Sequence, residues 1–340
     1  MKAVLYDAAH SYKVTEVPTP EPGPGEVRIR VIQTGVCGTD LHIDAGEFGA
    51  VFPLIPGHEV VGVVDKVGAG VTRVRVGEQV SVNPNVDCLQ CDYCRSGRPI
   101  LCPNLRGYGC QVNGFFAEYA LAAERLVYST EGLDPDTAVF TEPASCATHG
   151  TDNLRIRPGQ TALVFGAGPT GLLLSQLIKA SGAASVTVAA PKQFKLDVAK
   201  GLGIDQTVLI DRKDMAGAQR AAMAASGGRG YDIVVEATGS SAVGNICVPL
   251  TRNGGTVLIY GVTSDHETVT FHPFDVFRRE ITIRGSFAEM TSFEAAISAL
   301  RSGRVRTDGM ISHRFSIDEY GKALETLRSD PTAHKVIIVA

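Results

Sequence analysis

Four of the eight cysteines in this chain have the spacing of a metal site. Cys88, Cys91, Cys94 and Cys102 follow one another as C-x2-C-x2-C-x7-C. Thiolates this close in a loop can converge on one tetrahedral Zn²⁺. A disulfide pair and an iron–sulfur cluster are the alternatives. Disulfides are disfavoured because no secretory segment is recognisable. An iron–sulfur cluster is disfavoured because an electron carrier would not need the rest of this sequence. The spacing predicts a structural zinc in a lobe at about residues 84–105.

A second set of candidate ligands precedes this lobe and mixes three residue types. Cys37 stands in the run Cys-Gly-Thr-Asp-Leu-His, and His58 and Glu59 are adjacent among glycines. A Cys, His and carboxylate set suits a catalytic zinc, which keeps one position open for water or substrate. The three remaining cysteines, Cys110, Cys146 and Cys247, are expected to be buried thiols without a chemical role.

A glycine-rich turn later in the chain has the form of a dinucleotide-binding motif. Gly166-Ala-Gly-Pro-Thr-Gly171 follows the apolar run TALVF and precedes the helical pattern LLLSQLIKASG. Gly166 permits the tight turn, Gly168 lets a pyrophosphate approach the backbone, and Gly171 allows helix and strand to pack closely. The helix start then offers N–H groups to the phosphates. The alternative is a helix-start turn that binds no ligand.

The end of the next strand bears on the choice between NAD and NADP. NAD-binding proteins place an acidic residue for the ribose 2′-hydroxyl about 20 residues after the glycine turn. Here the strand ends in Ala189-Ala190-Pro191-Lys192, and Lys195 follows. A small neutral residue leaves room for a 2′-phosphate that the lysines could neutralise. We therefore expect NADP(H) in preference to NAD(H); the alternative is that both lysines are solvated surface charges.

The sequence pattern differs between two parts of the chain, and each part carries some of these motifs. Up to about residue 147, short Val-rich segments broken by glycine predict a β-rich domain with a small, strongly bent sheet. Beyond it, strands alternate with helices from TALVF to GTVLIYGV, which predicts a parallel, doubly wound sheet. The fold class is therefore α/β with a second, β-rich domain.

Length and charge exclude several classes of protein. A chain of 340 residues with 44% hydrophobic residues is long enough for two domains with separate cores. The net charge of −4 gives no electrostatic surface for nucleic acid or an anionic membrane, and no apolar run approaches a membrane span. Cysteines without an export signal are typical of a reducing cytoplasm, where we expect the protein to act.

With its motifs taken together, the chain resembles the zinc-dependent medium-chain dehydrogenases and reductases, on the alcohol, polyol and threonine dehydrogenase side. The family's zinc signature G-H-E-x2-G-x5-G-x2-V is matched by Gly57, His58, Glu59, Gly62, Gly68 and Val71. The cysteine lobe and the glycine turn follow in the family order. The resemblance implies a GroES-like catalytic domain over 1–147, a Rossmann domain over 148–285, and a return to the first domain over 286–340.

The resemblance also implies roles for particular residues. Cys37 and His58 match ligands of the catalytic zinc, Glu59 matches a carboxylate that ligates directly or sits behind the metal, and Glu142 matches the third protein position. A helix-start carboxylate without a metal is the alternative for Glu142. The implied cofactor-binding positions are Gly166, Gly168, Pro169, Thr170, Gly171, Ala190, Lys192, Lys195, Thr238, Gly261 and Val262.

Three residues near Cys37 match family positions that orient the zinc histidine or transfer protons. Asp40 matches a carboxylate that orients the zinc histidine. Thr39 and His42 match the relay that carries a proton from the substrate hydroxyl to solvent, since a histidine titrates near neutral pH. Together with the two sets of candidate metal ligands, these matches imply a zinc-dependent oxidoreductase with two zincs per chain.

The implied reaction is the reversible oxidation of a polyol or secondary alcohol to a ketone, with hydride transfer to a nicotinamide cofactor. Gly285-Ser-Phe-Ala-Glu-Met290 lacks the Arg-Tyr pair of animal sorbitol dehydrogenases and is nearer to arabitol-type enzymes. A primary-alcohol or threonine-type dehydrogenase and a non-enzymatic cofactor-binding relative are the alternatives. Family members pair an edge of the Rossmann sheet, so a homodimer or homotetramer through the strand at 281–287 is expected.

Overall fold

A computed structural model describes residues 1–264 and 266–340 of the chain. Its strands, numbered in chain order, are β1 (Lys2–Ala8), β2 (Ser11–Glu16), β3 (Glu26–Val36), β4 (Glu59–Val67), β5 (Gln79–Val82), β6 (Asn85–Val86), β7 (Arg106–Gly107), β8 (Tyr119–Ala123), β9 (Val127–Ser129), β10 (Thr161–Phe165), β11 (Ser185–Ala190), β12 (Gln206–Leu209), β13 (Tyr231–Glu236), β14 (Thr251–Ile259), β15 (Thr282–Gly285), β16 (Ile311–Ser316) and β17 (Lys335–Val339).

The helices are α1 (Gly38–Asp44), α2 (Asp92–Arg95), α3 (Pro135–Ala138), α4 (Thr141–Leu154), α5 (Pro169–Ala180), α6 (Gln193–Gly201), α7 (Met215–Ala225), α8 (Ser241–Leu250), α9 (Pro273–Arg279), α10 (Phe293–Arg301) and α11 (Tyr320–Ser329). Short 3₁₀ turns occupy Pro99–Leu101, Glu124–Leu126 and Ile317–Glu319. No described helix combines the length and the apolar composition that crossing a membrane requires.

The first of two compact units is built on a bent, mostly antiparallel sheet. It comprises Met1–Ser145, Glu289–Arg301 and Met310–Ala340. Its seven strands run in the order β16-β17-β3-β4-β5-β9, with β8 paired to β3. Strand β3 alternates sides as the VRIRVI pattern predicts, with Val27, Ile29 and Val31 buried in a core with Val60, Val64 and Phe115. The unit is therefore organised around β3, which pairs with three other strands.

The second unit is a six-stranded sheet in which each neighbouring pair is parallel. It comprises Cys146–Ala288 and Ser302–Gly309. The strand order is β12-β11-β10-β13-β14-β15. The chain adds β11 and β12 on one side of β10, then crosses to the other side and adds β13, β14 and β15 there. The inner strands β10, β11 and β13 are almost wholly buried, as parallel strands covered by helices on both faces require. The predicted α/β class with a doubly wound parallel sheet is confirmed.

Candidate active site

Cys37 and Asp40 are held by the start of helix α1. Cys37 is the N-cap residue, and its sulfur accepts a hydrogen bond from the backbone N–H of Thr39 at 3.3 Å. The Asp40 carboxylate in turn accepts from the backbone N–H of Cys37 at 2.9 Å. This reciprocal capping satisfies donors that a helix start leaves unpaired. It fixes the Cys37 sulfur and the buried Asp40 carboxylate relative to each other.

His58 lies between these two groups. Its Nε2 is 3.0 Å from the Cys37 sulfur, and its Nδ1 is 3.6 Å from Asp40 Oδ1. The second distance is too long for a hydrogen bond, so Nδ1 and Oδ1 are both buried without a partner among the described residues. Burial alone lowers the pKa of His58, but the negative charges of Cys37 and Asp40 outweigh it and raise that pKa well above its usual value.

Glu59 is fixed by a buried ion pair with Lys335. The Lys335 ammonium donates to both carboxylate oxygens of Glu59, at 2.8 and 2.5 Å, and both side chains are about 3% exposed. The pairing raises the pKa of Lys335 even though burial lowers it. A Cβ at Gly35, opposite Glu59 on β3, would lie 1.9 Å from the Glu59 carboxylate, so only glycine fits there.

The ligand atoms of Cys37, His58 and Glu59 all lie within 4.8 Å of one another. A soft sulfur, an imidazole nitrogen and a carboxylate oxygen are a donor set that zinc accepts. The orphaned His58 Nδ1 also fits, because a zinc histidine commonly faces a carboxylate through its other nitrogen. These residues would therefore fit a zinc ion.

Glu142 lies in the first turn of α4 and is buried. Its charge is among those that raise the pKa of His58, so it lies near the three converging residues. Glu142 is outside the group whose ligand atoms lie within 4.8 Å of one another. Its place as a zinc ligand remains a prediction.

The two relay candidates lie along α1. Thr39 and His42 are half-buried, and His42 Nδ1 is 2.5 Å from the carboxylate of Glu47. The His42 ring also packs on Phe48, with 5.0 Å between ring centres. His42 therefore has a charged partner at the protein surface, which suits a group that exchanges protons with solvent.

The four-cysteine lobe brings its sulfur atoms together around α2. The ligand atoms of all four cysteines lie within 4.8 Å of one another. Cys91 is the N-cap of α2, and the backbone N–H of Cys91 donates to the sulfur of Cys88 at 3.4 Å. Donation from the N–H groups of Gln90 and Cys91 lowers the pKa of Cys88 to about 6, whereas burial and the neighbouring thiols of Cys91 and Cys102 raise the pKa of Cys94 to about 12. The lobe fits a tetrahedral thiolate site.

The glycine turn of the second unit has the predicted geometry. Gly166 ends the run of β10 with a φ of 118°, where a side chain would be strained, and Gly168 is the N-cap of α5. A Cβ at Gly171 would lie 2.3 Å from the carbonyl oxygen of Gly166. Pro169, which has no N–H, and Thr170 begin α5, and no described side chain caps this helix start, so the N–H groups of Thr170 and Gly171 are available at the carboxyl edge of the sheet.

Basic side chains surround the end of β11, where Ala190 is buried and small. Lys192 is the N-cap of α6 and Lys195 lies within that helix. Burial lowers the pKa of Lys195, and the positive charges of Arg212 and Lys192 lower it further. Arg212, which follows β12 beside β11, is a third cation of this group. Sequence reasoning missed it because its distance from Ala190 is set by strand pairing.

The structure brings three further residues near the metal-binding candidates. Lys335 is the one charged residue of the apolar strand KVIIV, a signal that was available in the sequence. Burial raises the pKa of Cys110 to about 11, and the charges of His58, Asp40 and Cys37 reach it. Glu289 is fully buried, with the side chains of Ser145 and Asn85 and the backbone of Ser292 near its carboxylate.

Two family models match the chain in the order of its two units. Residues 23–132 match the alcohol dehydrogenase GroES-like domain, and residues 169–302 match the zinc-binding dehydrogenase model.

Relatives with assigned activities align over almost the whole chain. D-arabinitol dehydrogenase 1 of Uromyces fabae is 42% identical over 330 residues, which are 97% of this chain and 94% of the relative. D-altritol 5-dehydrogenase of Agrobacterium fabrum is 32% identical and aligned over 100% of both chains.

Two solved structures have the same fold over the full chain. A zinc-binding dehydrogenase of Sinorhizobium meliloti 1021 bound to NADP is 33% identical, with a TM-score of 0.93 and coverage of 100% of this chain and 99% of that one. An alcohol dehydrogenase of E. coli CFT073 in complex with NADH is 28% identical, with a TM-score of 0.92 and the same coverage.

The buried ion pair generates a stability prediction. In Lys335→Met, Glu59 is left as an unpaired buried carboxylate, and we expect the free energy of unfolding to fall by about 3–5 kcal/mol. Adding Glu59→Gln should recover part of this loss because no buried charge then remains. The measurement is chemical denaturation of the metal-free proteins, in which no zinc ion can neutralise the Glu59 carboxylate.

Lys322→Met is the matched control for this ion pair. Lys322 pairs with Glu319 at 3.0 Å on the exposed face of α11, so its loss should cost less than about 1 kcal/mol. If Lys335→Met were as stable as the control, the buried pair would not hold the site together.

Glu289 generates a pH prediction. Burial, reinforced by the charge of Glu142, raises the pKa of Glu289 from 4.5 to about 7. Between these values the unfolded chain releases the proton while the folded chain retains it, so stability falls as pH rises. The stability of Glu289→Gln relative to the native protein should therefore increase by about 1–3 kcal/mol from pH 4.5 to 8.

Denaturation midpoints at pH 4.5, 6 and 8 measure this difference. Glu294→Gln, at an exposed carboxylate five residues on, should show none of it. An unchanged difference between Glu289→Gln and the native protein at all three pH values would contradict the assignment of a buried, protonated acid.

Proposed function

The chain belongs to the zinc-dependent medium-chain dehydrogenases, and from this membership we propose that it oxidises a polyol at a secondary carbon, with NADP⁺ as the favoured hydride acceptor. It is an NAD(P)-dependent alcohol or polyol dehydrogenase, and the reaction is reversible hydride transfer between alcohol and nicotinamide.

The observation that carries this proposal is the convergence of Cys37, His58 and Glu59 within 4.8 Å beside the buried Asp40. Zinc held there supplies Lewis-acid chemistry, which makes a substrate hydroxyl more acidic. The Asp40 carboxylate faces the Nδ1 side of the His58 ring at 3.6 Å, and we propose that it orients that ring. Glu142 is a further candidate ligand on the adjoining helix start.

Thr39 and His42 are proposed to carry the released proton to solvent. Thr39 follows the capping Cys37 on α1, and His42 is half-exposed beside Glu47. The path therefore leads along one helix from the metal-binding candidates to the surface.

The relatives support a polyol as the substrate. D-arabinitol and D-altritol dehydrogenases, both named for sugar alcohols, align with at least 97% of this chain. Threonine dehydrogenase is the second candidate function, because an L-threonine 3-dehydrogenase of Saccharopolyspora erythraea is 32% identical over 94% of this chain. The 42% identity to the arabinitol enzyme favours the polyol.

A preference for NADP(H) is supported by the charges after β11 and β12. No acidic residue ends β11, and Lys192, Lys195 and Arg212 supply three positive charges around the small Ala190. A 2′-phosphate would neutralise that repulsion, whereas a ribose hydroxyl would leave it.

The four-cysteine lobe is proposed to hold a second, structural zinc. The lobe has short helical turns and little apolar core, so its order depends on metal. Thiolate ligands of this kind persist in a reducing compartment, and we propose a cytoplasmic enzyme.

Association of copies is proposed through the exposed edge of the parallel sheet. Strand β15 ends that sheet, and nearby helix α9 exposes Phe274 and Phe277 by 68% and 78%. An unpaired edge strand beside exposed aromatic side chains favours pairing with a second copy.

The decisive experiment measures initial rates over a panel of polyols, secondary alcohols, primary alcohols and threonine, each with NAD⁺ and NADP⁺. The protein should contain about two zincs per chain and should turn over a polyol best. His58→Ala should lower kcat by about 10³-fold or more while it leaves cofactor binding unchanged.

His272→Ala is the control, since His272 precedes α9 in the other unit and should be dispensable. Turnover of threonine above every polyol would replace the proposed substrate. Full activity of zinc-loaded His58→Ala would reject the metal site, and silence over the whole panel would favour a non-enzymatic relative.

Removing one of the three cations tests the NADP preference. Arg212→Ala should lower kcat/KM with NADP⁺ by about 10-fold, because a charge-assisted contact to the 2′-phosphate is lost, and should change kcat/KM with NAD⁺ by less than about 2-fold. Lys200→Ala, an exposed position of α6, is the control. An equal loss with both cofactors would show that Arg212 does not recognise the 2′-phosphate.

A further inference from the structure

Glu236 is a buried carboxylate that the proposed reaction leaves without a role. It ends β13 and is 1% exposed. Its carboxylate accepts hydrogen bonds from the backbone N–H of Thr238 at 2.7 Å and of Gly239 at 3.2 Å, and from the Thr238 hydroxyl. The N–H of Ser240 is 3.4 Å away. The hydrogen bonds to this one side chain therefore fix the conformation of the loop 237–240.

The same residue also joins this loop to the neighbouring strand. The main-chain carbonyl of Glu236 accepts from the N–H groups of Tyr260 and Gly261, both at 2.9 Å. A Cβ at Gly261 would lie 2.6 Å from Glu236 Oε2, so the carboxylate packs against the bare backbone there. Glu236 thus sets the relative position of the ends of β13 and β14.

These strand ends lie at the place where a doubly wound sheet binds its ligand. The strand order reverses between β10 and β13, and ligands bind outside the carboxyl ends of the strands at such a reversal. A Cβ at Gly166 would lie 2.7 Å from the carbonyl oxygen of Ala237, so the glycine turn touches the loop that Glu236 organises.

The reversal also separates the two halves of a dinucleotide. The residue that reads the adenosine ribose lies at the end of the second strand of the first half, here β11, on one side of β10. The ends of β13 and β14, with Thr238 and Gly261, lie on the other side of β10. They therefore face the nicotinamide half.

We propose that Glu236 is a positioning residue for the nicotinamide half of the cofactor: its carboxylate shapes the loop 237–240 and its contact with Gly261 into one wall of the binding cleft. This inference rests on the proposed dinucleotide site. A carboxylate suits the task because it is acceptor-only, and Thr238 and Gly239 present N–H and O–H donors to it. A glutamine would turn an N–H₂ group toward some of those donors.

Glu236→Gln tests the proposal in the full-length, zinc-loaded enzyme. The probes are the whole cofactor, NADP⁺ or NAD⁺, and its adenosine fragment, 2′,5′-ADP or ADP respectively, each titrated by calorimetry. We expect the Kd of the whole cofactor to rise about 10-fold, and the Kd of the fragment to change less than about 2-fold, because only the nicotinamide wall is disturbed.

Asp232→Asn is the matched control at the opposite end of the same strand. Asp232 accepts from the backbone N–H and the hydroxyl of Thr161, at 2.8 and 2.9 Å, and is likewise a strand-end carboxylate. Its loss should destabilise the same unit but leave the Kd of both probes within about 2-fold. Should Glu236→Gln not fold, Glu236→Asp keeps the charge, retracts it by one methylene, and should weaken only the whole cofactor.

Three results would overturn the proposal. Unchanged affinity of the Glu236 variants for the whole cofactor would show that the carboxylate shapes no part of the cleft. An equal loss of cofactor and fragment, or the same loss in Asp232→Asn, would show a general structural role. A native enzyme that binds neither NADP⁺ nor NAD⁺ would overturn this inference together with the proposed function.

Discussion

The first unit depends on the buried pair of Glu59 and Lys335. A carboxylate next to the histidine of a metal site needs a compensating charge if it is to stay ionised away from water. Here that charge comes from β17, and β3 lies between the two side chains with Gly35 leaving room for the carboxylate. The sheet therefore holds the position of the candidate ligand Glu59 through one nonlocal interaction, while Cys37 and His58 are fixed by local contacts with α1.

Both units use the end of a strand or the start of a helix to hold reactive groups. Cys37 and Asp40 cap α1, Cys91 caps α2, and Gly168 caps α5. At these points the backbone offers unpaired N–H groups, and sulfur, carboxylate or phosphate can accept from them. The same physical preference therefore positions cysteine sulfur atoms in one unit and the proposed phosphate-binding turn in the other.

Local patterns were sufficient to predict the fold class and the two groups of metal-binding candidates, because zinc spacing and a strand–glycine turn–helix sequence are short-range signals. Helix α7 was not identified, since its run of alanines and small residues gives weak hydrophobic periodicity. Lys335, Arg212 and Glu289 were also missed. Their partners or neighbours are determined by strand pairing and burial, which cannot be read from a single sequence.

The pairing of β17 with β3 has a consequence for the order in which the protein matures. Glu59 and Lys335 are 276 positions apart, and β17 ends at Val339 of a 340-residue chain. Glu59 is therefore synthesised long before Lys335. The second unit ends at Gly309, which also precedes Lys335. During synthesis the dinucleotide-binding unit can therefore complete its sheet while the first unit still lacks a strand. The first unit, although most of it precedes the second unit in the chain, is the later of the two to acquire its final charge balance.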